Sequence, residues 1–167
     1  AISISSYDKK NSIVDSRFVN LKYVIDDEWI FFSNYNSPKS MQFESHEQIS
    51  AVIFWNSTNV QIRMKAKIEK TNSEFSNEHF LSRDVSKNLL AILSQQSKPI
   101  SSYDDFLRKY EKNLSSNSDI KTRPEYWGGF SFSPYYFEFW EGHNSRVNKR
   151  KFYELKNQEW KSGFLQP

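Results

Sequence analysis

From Asn59 to Lys70 apolar and polar residues alternate without a break. Val60, Ile62, Met64, Ala66 and Ile68 fall on one side; Gln61, Arg63, Lys65, Lys67 and Glu69 fall on the other. A period of two over this length specifies a strand with one buried face, since a helix repeats its faces about every 3.6 residues. Such a strand needs partners, and the chain supplies them before and after it. Ala1–Tyr7 alternates in the same way, Asp8-Lys9-Lys10-Asn11 reads as a turn, and Ser12–Val24 reads as a second strand. Asp26-Asp27-Glu28 turns the chain into a short aromatic strand, Trp29–Asn34, and Ser50–Trp55 is a compact apolar strand. Further strands are expected at Phe130–Ser133, Tyr136–Trp140, Lys151–Lys156 and Trp160–Leu165.

Helical patterns interrupt this series. Ser37-Pro38 looks like an N-cap followed by proline at the first helical position, opening a short helix through about Glu44. Ser73–Ser82, Val85–Gln96 and Ser102–Leu114 carry helical spacing, with a stripe of Leu89, Leu90, Ile92 and Leu93 in the second and Phe106, Leu107 and Tyr110 in the third. Core packing accounts for these stripes. Ser115–Thr122 is polar and reads as a loop. Strands, then helices, then strands within 167 residues predict one domain, residues 1–167, mainly β with peripheral helices: a small antiparallel barrel.

Aliphatic residues are few, but fourteen Phe, nine Tyr and five Trp supply a core. A net charge of +3 does not argue for a nucleic-acid partner. The absence of cysteine rules out disulfides and thiolate metal sites and fits a reducing, cytoplasmic setting. His46, His79 and His143 lack metal-ligand spacing, so no metal is expected. No apolar run reaches transmembrane length and no signal-peptide pattern is present, so no membrane partner is expected. The chain opens on Ala1 in a strand-like segment, and a natural N-terminal segment is expected to be absent.

Three of the four glycines fall within Glu125–Tyr153, in Trp127-Gly128-Gly129 and Trp140-Glu141-Gly142, ahead of Arg146 and Arg150. Clustered glycines point to positive φ or close backbone approach, and flat rings beside guanidinium groups suit a planar anion. The plain alternative is a hydrophobic hairpin with a solvated basic edge. Ser33-Asn34, Ser37 and Lys39 combine hydroxyls, a cation and a helix start, which is either a phosphate cradle or ordinary capping. The row Gln61, Arg63, Lys65, Lys67 either lines a groove or is wet. Arg17 and Lys22, five apart, point to opposite faces of a regular strand. Arg83 and Lys87 present two cations one helical turn apart, as anion ligands or as surface charge. No catalytic triad, HExxH, P-loop or GxGxxG occurs, so an enzyme here would use a bound cofactor.

In order along the chain, these pieces resemble the pyridoxine/pyridoxamine 5′-phosphate oxidase family, the FMN-binding split barrels. Arg17-Phe18-Val19-Asn20-Leu21-Lys22 resembles the family's R-x-V-L-L-K strand. Phe31-Phe32-Ser33-Asn34 with Ser37 and Lys39 resembles F-Y-T-N…S-R-K, and Gln61-Ile62-Arg63 resembles Q-V-R. Ser82-Arg83, Gln96-Ser97, Trp127-Gly128-Gly129-Phe130, Glu138-Phe139-Trp140-Glu141-Gly142 and Arg146…Arg150 follow in family order. The resemblance covers the whole chain.

It implies a six-stranded antiparallel split barrel that forms a homodimer with FMN at the interface. It implies that Arg17 and Lys39 hold the FMN phosphate with Ser33 nearby, and that Phe18, Val19, Leu21, Phe32 and Gln61 meet the ring and ribityl chain. Gln96 and Ser97 come from the other subunit, and Trp127 and Arg150 complete the isoalloxazine site. Lys22 and Arg83 clamp the substrate phosphate, and Arg146 lies over the substrate pyridine. The implied reaction moves a hydride equivalent from substrate C4′ to flavin N5, after which O2 reoxidises the flavin to give H2O2 and pyridoxal 5′-phosphate. The chain departs from the family at Pro38, where one FMN-phosphate cation is usual, and at His79, Lys87 and Asn148, which replace a Tyr, a Ser and a His on the substrate side. Arg146 and Asn148 are thus the catalytic candidates, and Lys22, His79, Arg83, Lys87, Arg146 and Asn148 the substrate-binding set. These departures keep two alternatives in view: an FMN oxidase of the same fold with another substrate, such as the tricyclic intermediates of phenazine-type pathways, and a non-catalytic flavin-binding barrel.

Overall fold

The computed structural model describes residues 1–115 and 120–167. The expected loop Ser115–Thr122 therefore lies partly outside the described residues. The elements run β1 (Ile2–Asp8), β2 (Ile13–Val19), β3 (Leu21–Ile25), β4 (Glu28–Asn34), α1 (Pro38–Ser45), β5 (Gln48–Trp55), β6 (Val60–Lys70), α2 (Ser73–Ser82), α3 (Val85–Leu93), α4 (Tyr103–Leu114), β7 (Trp127–Glu141), β8 (Lys149–Lys156) and β9 (Glu159–Leu165). The expectation of a mainly antiparallel, β-rich chain with few helices holds.

Chain contacts divide it into two compact units. The first unit comprises Ala1–Phe31, Gln42–Glu69 and Ser131–Pro167 and carries the sheet. Among the described residues the sheet has nine strands in the order β2-β1-β5-β6-β7-β4-β3, with β8 pairing β7 and β9 pairing β8. The sequence also predicts nine strands, but two of its predicted elements resolve differently, and the two differences cancel in the count. Ser12–Val24 is two strands, broken at Asn20: β2 pairs with β1, whereas β3 pairs with β4 and shifts register between Leu21 and Tyr23. One stretch thus serves both ends of the strand order, and the break is where it changes partner. Conversely, Phe130–Ser133 and Tyr136–Trp140 are one strand, β7, which runs through Pro134. Proline removes a ladder donor and reads as a breaker in sequence, but the extended backbone accepts it.

Strand β6 follows its alternation. Ile62, Met64, Ala66 and Ile68 are buried, while Arg63, Lys65, Lys67 and Glu69 are exposed. Ile2, Ile4, Ile49 and Ala51 join this core, and Phe31 packs against Phe43 and Phe132 with ring centroids 6.3 and 6.4 Å apart. Burial of such side chains, at about 1.5–3 kcal/mol each, drives the assembly.

The second unit comprises Phe32–Met41 and Lys70–Phe130. Helix α2 starts where Asn72 Oδ1 accepts from Phe75 N at 2.7 Å, and α4 where Ser102 Oγ accepts from Asp105 N at 3.2 Å. Helix α3 stops at Leu93, short of the expected Gln96, and Ser97 takes a left-handed φ of 71°. The paired glycines serve close approach: a Cβ on Gly128 would lie 2.1 Å from Tyr35 Oη, and one on Gly129 2.4 Å from Thr71 Oγ1. No described glycine has positive φ.

Candidate functional site

In the first unit, Arg17 sits on the half-buried side of β2. Its Nη1 donates to Ser6 Oγ at 2.5 Å and to the Ile4 carbonyl at 3.5 Å; its Nη2 donates to Gln42 Oε1 at 2.9 Å. Gln42 is buried, accepts from Ser6 Oγ as well, and donates Nε2 to Asp15 at 2.6 Å. The Asp15 carboxylate itself stands 3.9 Å from the guanidinium. Burial pushes the Arg17 guanidinium below its ordinary value, with Asp15 acting in the opposite direction. A guanidinium stays charged under such a shift, so the strand presents a cation held mainly by neutral acceptors.

Other predicted residues of this unit are spread more widely. Phe18 is 76% exposed, Val19, Leu21 and Gln61 are half-buried, and Lys22 is exposed on β3. The break at Asn20 uncouples Lys22 from the alternation of β2, so the rule that placed Arg17 and Lys22 on opposite faces does not carry across it. Arg146 is exposed with a left-handed φ of 65°, an uncommon conformation for a side-chain-bearing residue. Asn148 is half-buried, and its Oδ1 accepts from His143 N at 3.0 Å, so it closes its own loop.

Arg150 is held tightly. Its Nε and Nη2 reach Glu138 Oε1 at 2.9 and 2.8 Å, and its Nη1 donates to the Gln166 carbonyl at 2.9 Å. Glu138 also accepts from Arg63 through Oε2. Burial would raise the Glu138 carboxyl, but the hydrogen bonds from Arg150 and Arg63 outweigh it and hold the group below the usual carboxylate range. The three cations of the polar row of β6, left open between groove and wet face, are partnered: Arg63 by Glu138, Lys65 by the Tyr136 ring at 5.1 Å, Lys67 by Glu47 at 3.0 Å.

In the second unit, Lys39 is buried at the start of α1, and its Nζ donates to Ser33 Oγ and Ser37 Oγ, both at 3.1 Å. Gln96 Oε1 accepts from Ser33 Oγ and Asn34 N at 3.3 Å. Ser37 Oγ itself donates to the Asn34 carbonyl at 2.7 Å, so cation, hydroxyls and helix start are gathered in one place. Ser40 Oγ, in the first turn of α1, is buried without a hydrogen-bond partner. Phe32 stacks on His79 at 3.7 Å and on Trp127 at 5.3 Å, nearly parallel in both cases. The Arg83 guanidinium lies 4.3 Å from the Trp127 ring centroid and donates Nη2 to the Lys87 carbonyl at 3.1 Å. Arg83 Nη1 is buried and has no hydrogen-bond partner. Burial pushes this guanidinium down, with Asp84 opposing. Lys87 is exposed and bound to Asp84 at 2.5 Å. Ser97 is exposed.

Sequence reasoning missed Ser6, Gln42 and Glu138, the residues that hold the arginines. For Glu138 a signal was present: a lone carboxylate inside the aromatic run of β7, where an acid stays buried only if paired.

Comparison with known proteins bears on the family and the fold. The family described as the pyridoxine 5′-phosphate oxidase C-terminal dimerisation region matches residues 127–167. A pyridoxine/pyridoxamine 5′-phosphate oxidase of Hydrogenovibrio crunogenus is 34% identical over 155 residues, covering 91% of this chain and 72% of that protein. One of Herminiimonas arsenicoxydans is 33% identical, covering 95% of this chain and 75% of the relative. Among solved structures, PhzG from Burkholderia lata 383, crystallised with tetrahydrophenazine-1-carboxylic acid, superposes with a TM-score of 0.92 at 21% identity, covering 100% of this chain and 82% of that one. A pyridoxamine 5′-phosphate oxidase-related, FMN-binding protein from Nostoc punctiforme PCC 73102 gives a TM-score of 0.81 at 15% identity, covering 99% and 86%. These structural likenesses show the fold, the split barrel expected from the sequence; the level of identity to the curated oxidases shows the kinship. The chain belongs to the pyridoxine/pyridoxamine 5′-phosphate oxidase family.

Proposed function

We propose that the chain is an FMN-dependent oxidase that converts pyridoxamine or pyridoxine 5′-phosphate to pyridoxal 5′-phosphate, with O2 as acceptor and H2O2 as co-product, acting as a cytoplasmic homodimer. The observation that carries a phosphorylated substrate is the buried, unpartnered Nη1 of Arg83 beside the Trp127 ring. A guanidinium N–H left without an acceptor costs about 1–3 kcal/mol, and a dianion supplies that acceptor. FMN, when bound, takes up the two electrons of the oxidation and passes them to O2. Arg17, Lys39 and Ser33 bind its phosphate; Phe18, Val19, Leu21, Phe32, Gln61 and Trp127 bound the ring and ribityl chain; Gln96 and Ser97 serve the FMN of a neighbouring subunit. Arg150 presents donors to the flavin edge, where negative charge develops on reduction. Lys22, Arg83, His79 and Lys87 hold the substrate phosphate, and Arg146 with Asn148 orient the pyridine ring.

The test combines flavin content with turnover. Purified protein is expected to be yellow, to release FMN on denaturation, and to produce peroxide with pyridoxamine 5′-phosphate. Colourless protein that FMN cannot reconstitute overturns the reading. Arg83→Ala is expected to raise KM roughly 10–100-fold with FMN retained, the worth of a charge-assisted bond to phosphate; an unchanged KM removes Arg83 from the clamp. A second reading, an oxidase of the same fold for another planar anion, is favoured by Lys87 being paired with Asp84 and Asn148 closing its own loop. A carboxylate such as that of the PhzG ligand would also satisfy Arg83. Bound, reducible flavin without peroxide from pyridoxamine 5′-phosphate selects this second reading.

A further inference from the structure

We propose that Glu138 is a positioning residue, whose carboxylate sets the plane of the Arg150 guanidinium and so aims the donors that Arg150 offers the flavin. This rests on the reading that the chain binds FMN with Arg150 at the flavin edge. Glu138 is 3% exposed, on a strand otherwise rich in aromatic residues. A carboxylate there is tolerated only with full compensation. It has that compensation, divided between its two oxygens. Oε1 receives Arg150 from β8, and Oε2 receives Arg63 from β6, with Tyr136 Oη at 3.4 Å.

The strand register builds this contact. On β7 and β8, Glu138 is opposite Phe152 and Trp140 is opposite Arg150, so Glu138 and Arg150 are diagonal neighbours on one face. The Gln166 carbonyl adds a second anchor through Nη1. A guanidinium has five N–H donors in one plane. Gripped at Nε and Nη2 by the carboxylate and at Nη1 by the carbonyl, that plane cannot rotate, and the remaining hydrogens leave from the far edge of the fork. A buried ion pair adds little net stability over an apolar replacement, so its value here is orientation. Charge survives the clamp: two guanidinium groups against one carboxylate leave one net positive charge, as an anionic flavin requires. Gln61 shares the outward face of β6 with Arg63, so a residue assigned to the flavin lies on the same strand face as the cluster.

The test is a double-mutant cycle read as FMN affinity of the apoprotein, by flavin fluorescence, in wild type, Glu138→Gln, Arg150→Ala and the double variant. Glu138→Gln is expected to raise Kd about tenfold in the wild-type background and less than about twofold once Arg150 is gone, because a residue that acts through another shows no separate effect. The visible flavin band is expected to shift alike in both single variants. Equal factors in the two backgrounds, or no change of Kd on Glu138→Gln, overturn the proposal. If thermal melting shows that Glu138→Gln does not fold, Glu138→Asp takes its place: it keeps the charge, withdraws the carboxylate, and is expected to give a smaller rise that also disappears without Arg150. Wild-type apoprotein that binds no FMN overturns the flavin reading and this proposal together, whereas bound FMN with an additive cycle overturns the role of Glu138 alone.

Discussion

Two arginines of the first unit are secured in opposite ways. Arg17 is held by a hydroxyl, an amide oxygen and a backbone carbonyl, with its carboxylate neighbour Asp15 at 3.9 Å and half exposed. Arg150 is locked onto a fully buried carboxylate at 2.8–2.9 Å. Neutral acceptors orient a guanidinium without cancelling it; a buried carboxylate orients it and offsets its charge as well. Arg17 therefore delivers charge and Arg150 delivers direction, which is the division that the proposed roles at a phosphate and at a ring edge call for. Two residues of one type on one sheet are made into different tools by what stands behind them.

The largest expected effect lies on the direction side. Glu138→Gln leaves Arg63 and Arg150 without their shared counter-charge and is expected to lower stability by about 2–3 kcal/mol near neutral pH, at or below the low end for a buried pair because both arginines are partly exposed. The pH dependence has a definite sign. The Glu138 carboxyl is depressed in the folded protein, so its contribution is present above the ordinary carboxylate range and lost as pH falls through the lowered folded value. The difference in Tm between wild type and Glu138→Gln should therefore be widest at neutral pH and close in strong acid; a constant difference would show that charge is not what Glu138 supplies. Next, Arg17→Ala is expected to weaken FMN binding about 10–100-fold in fluorescence titration. Lysine then separates the two roles. Arg17→Lys should recover most of that loss, since charge is kept, whereas Arg150→Lys should behave like Arg150→Ala, since the fork is gone. Rescue at 150 but not at 17 would invert the contrast. Smallest is Asp15→Asn, expected to change stability by less than about 0.5 kcal/mol and FMN affinity by less than about threefold, as for other exposed pairs; a larger change would make Asp15 a true counter-ion of Arg17.

Much of this was legible before any coordinates. The alternation of β6 named its buried face from Ile62 to Ile68, with Val60 only half-buried, and the Ser37-Pro38 signal placed the start of α1 at Pro38 and its end one residue short of Ser45. Local rules suffice where one element decides the outcome. They failed where two distant elements share one stretch, as at Asn20, and where a breaker sits inside a long strand, as at Pro134. The site divides along the same line. Ser33, Ser37 and Lys39 lie within seven positions and read as a group. Glu138 has its partners on two other strands, and Gln42 reaches back to β1 and β2, so neither could be assigned a task from spacing.

The hairpin between β8 and β9 turns on Asn157 and Gln158, with φ of 53° and 66° and no glycine at either place. A two-residue turn of this hand matches strand twist, but it is strained for Gln. That bend sets which residue of β9 faces each residue of β8, and through the Arg150 to Leu165 pairing it places the Gln166 carbonyl within reach of the guanidinium. A slip of one position would swap the two faces of the ribbon. The tip of the hairpin is thus an alignment pin for the cationic fork, and Gly at 158 would make that pin firmer without touching a ligand-facing atom.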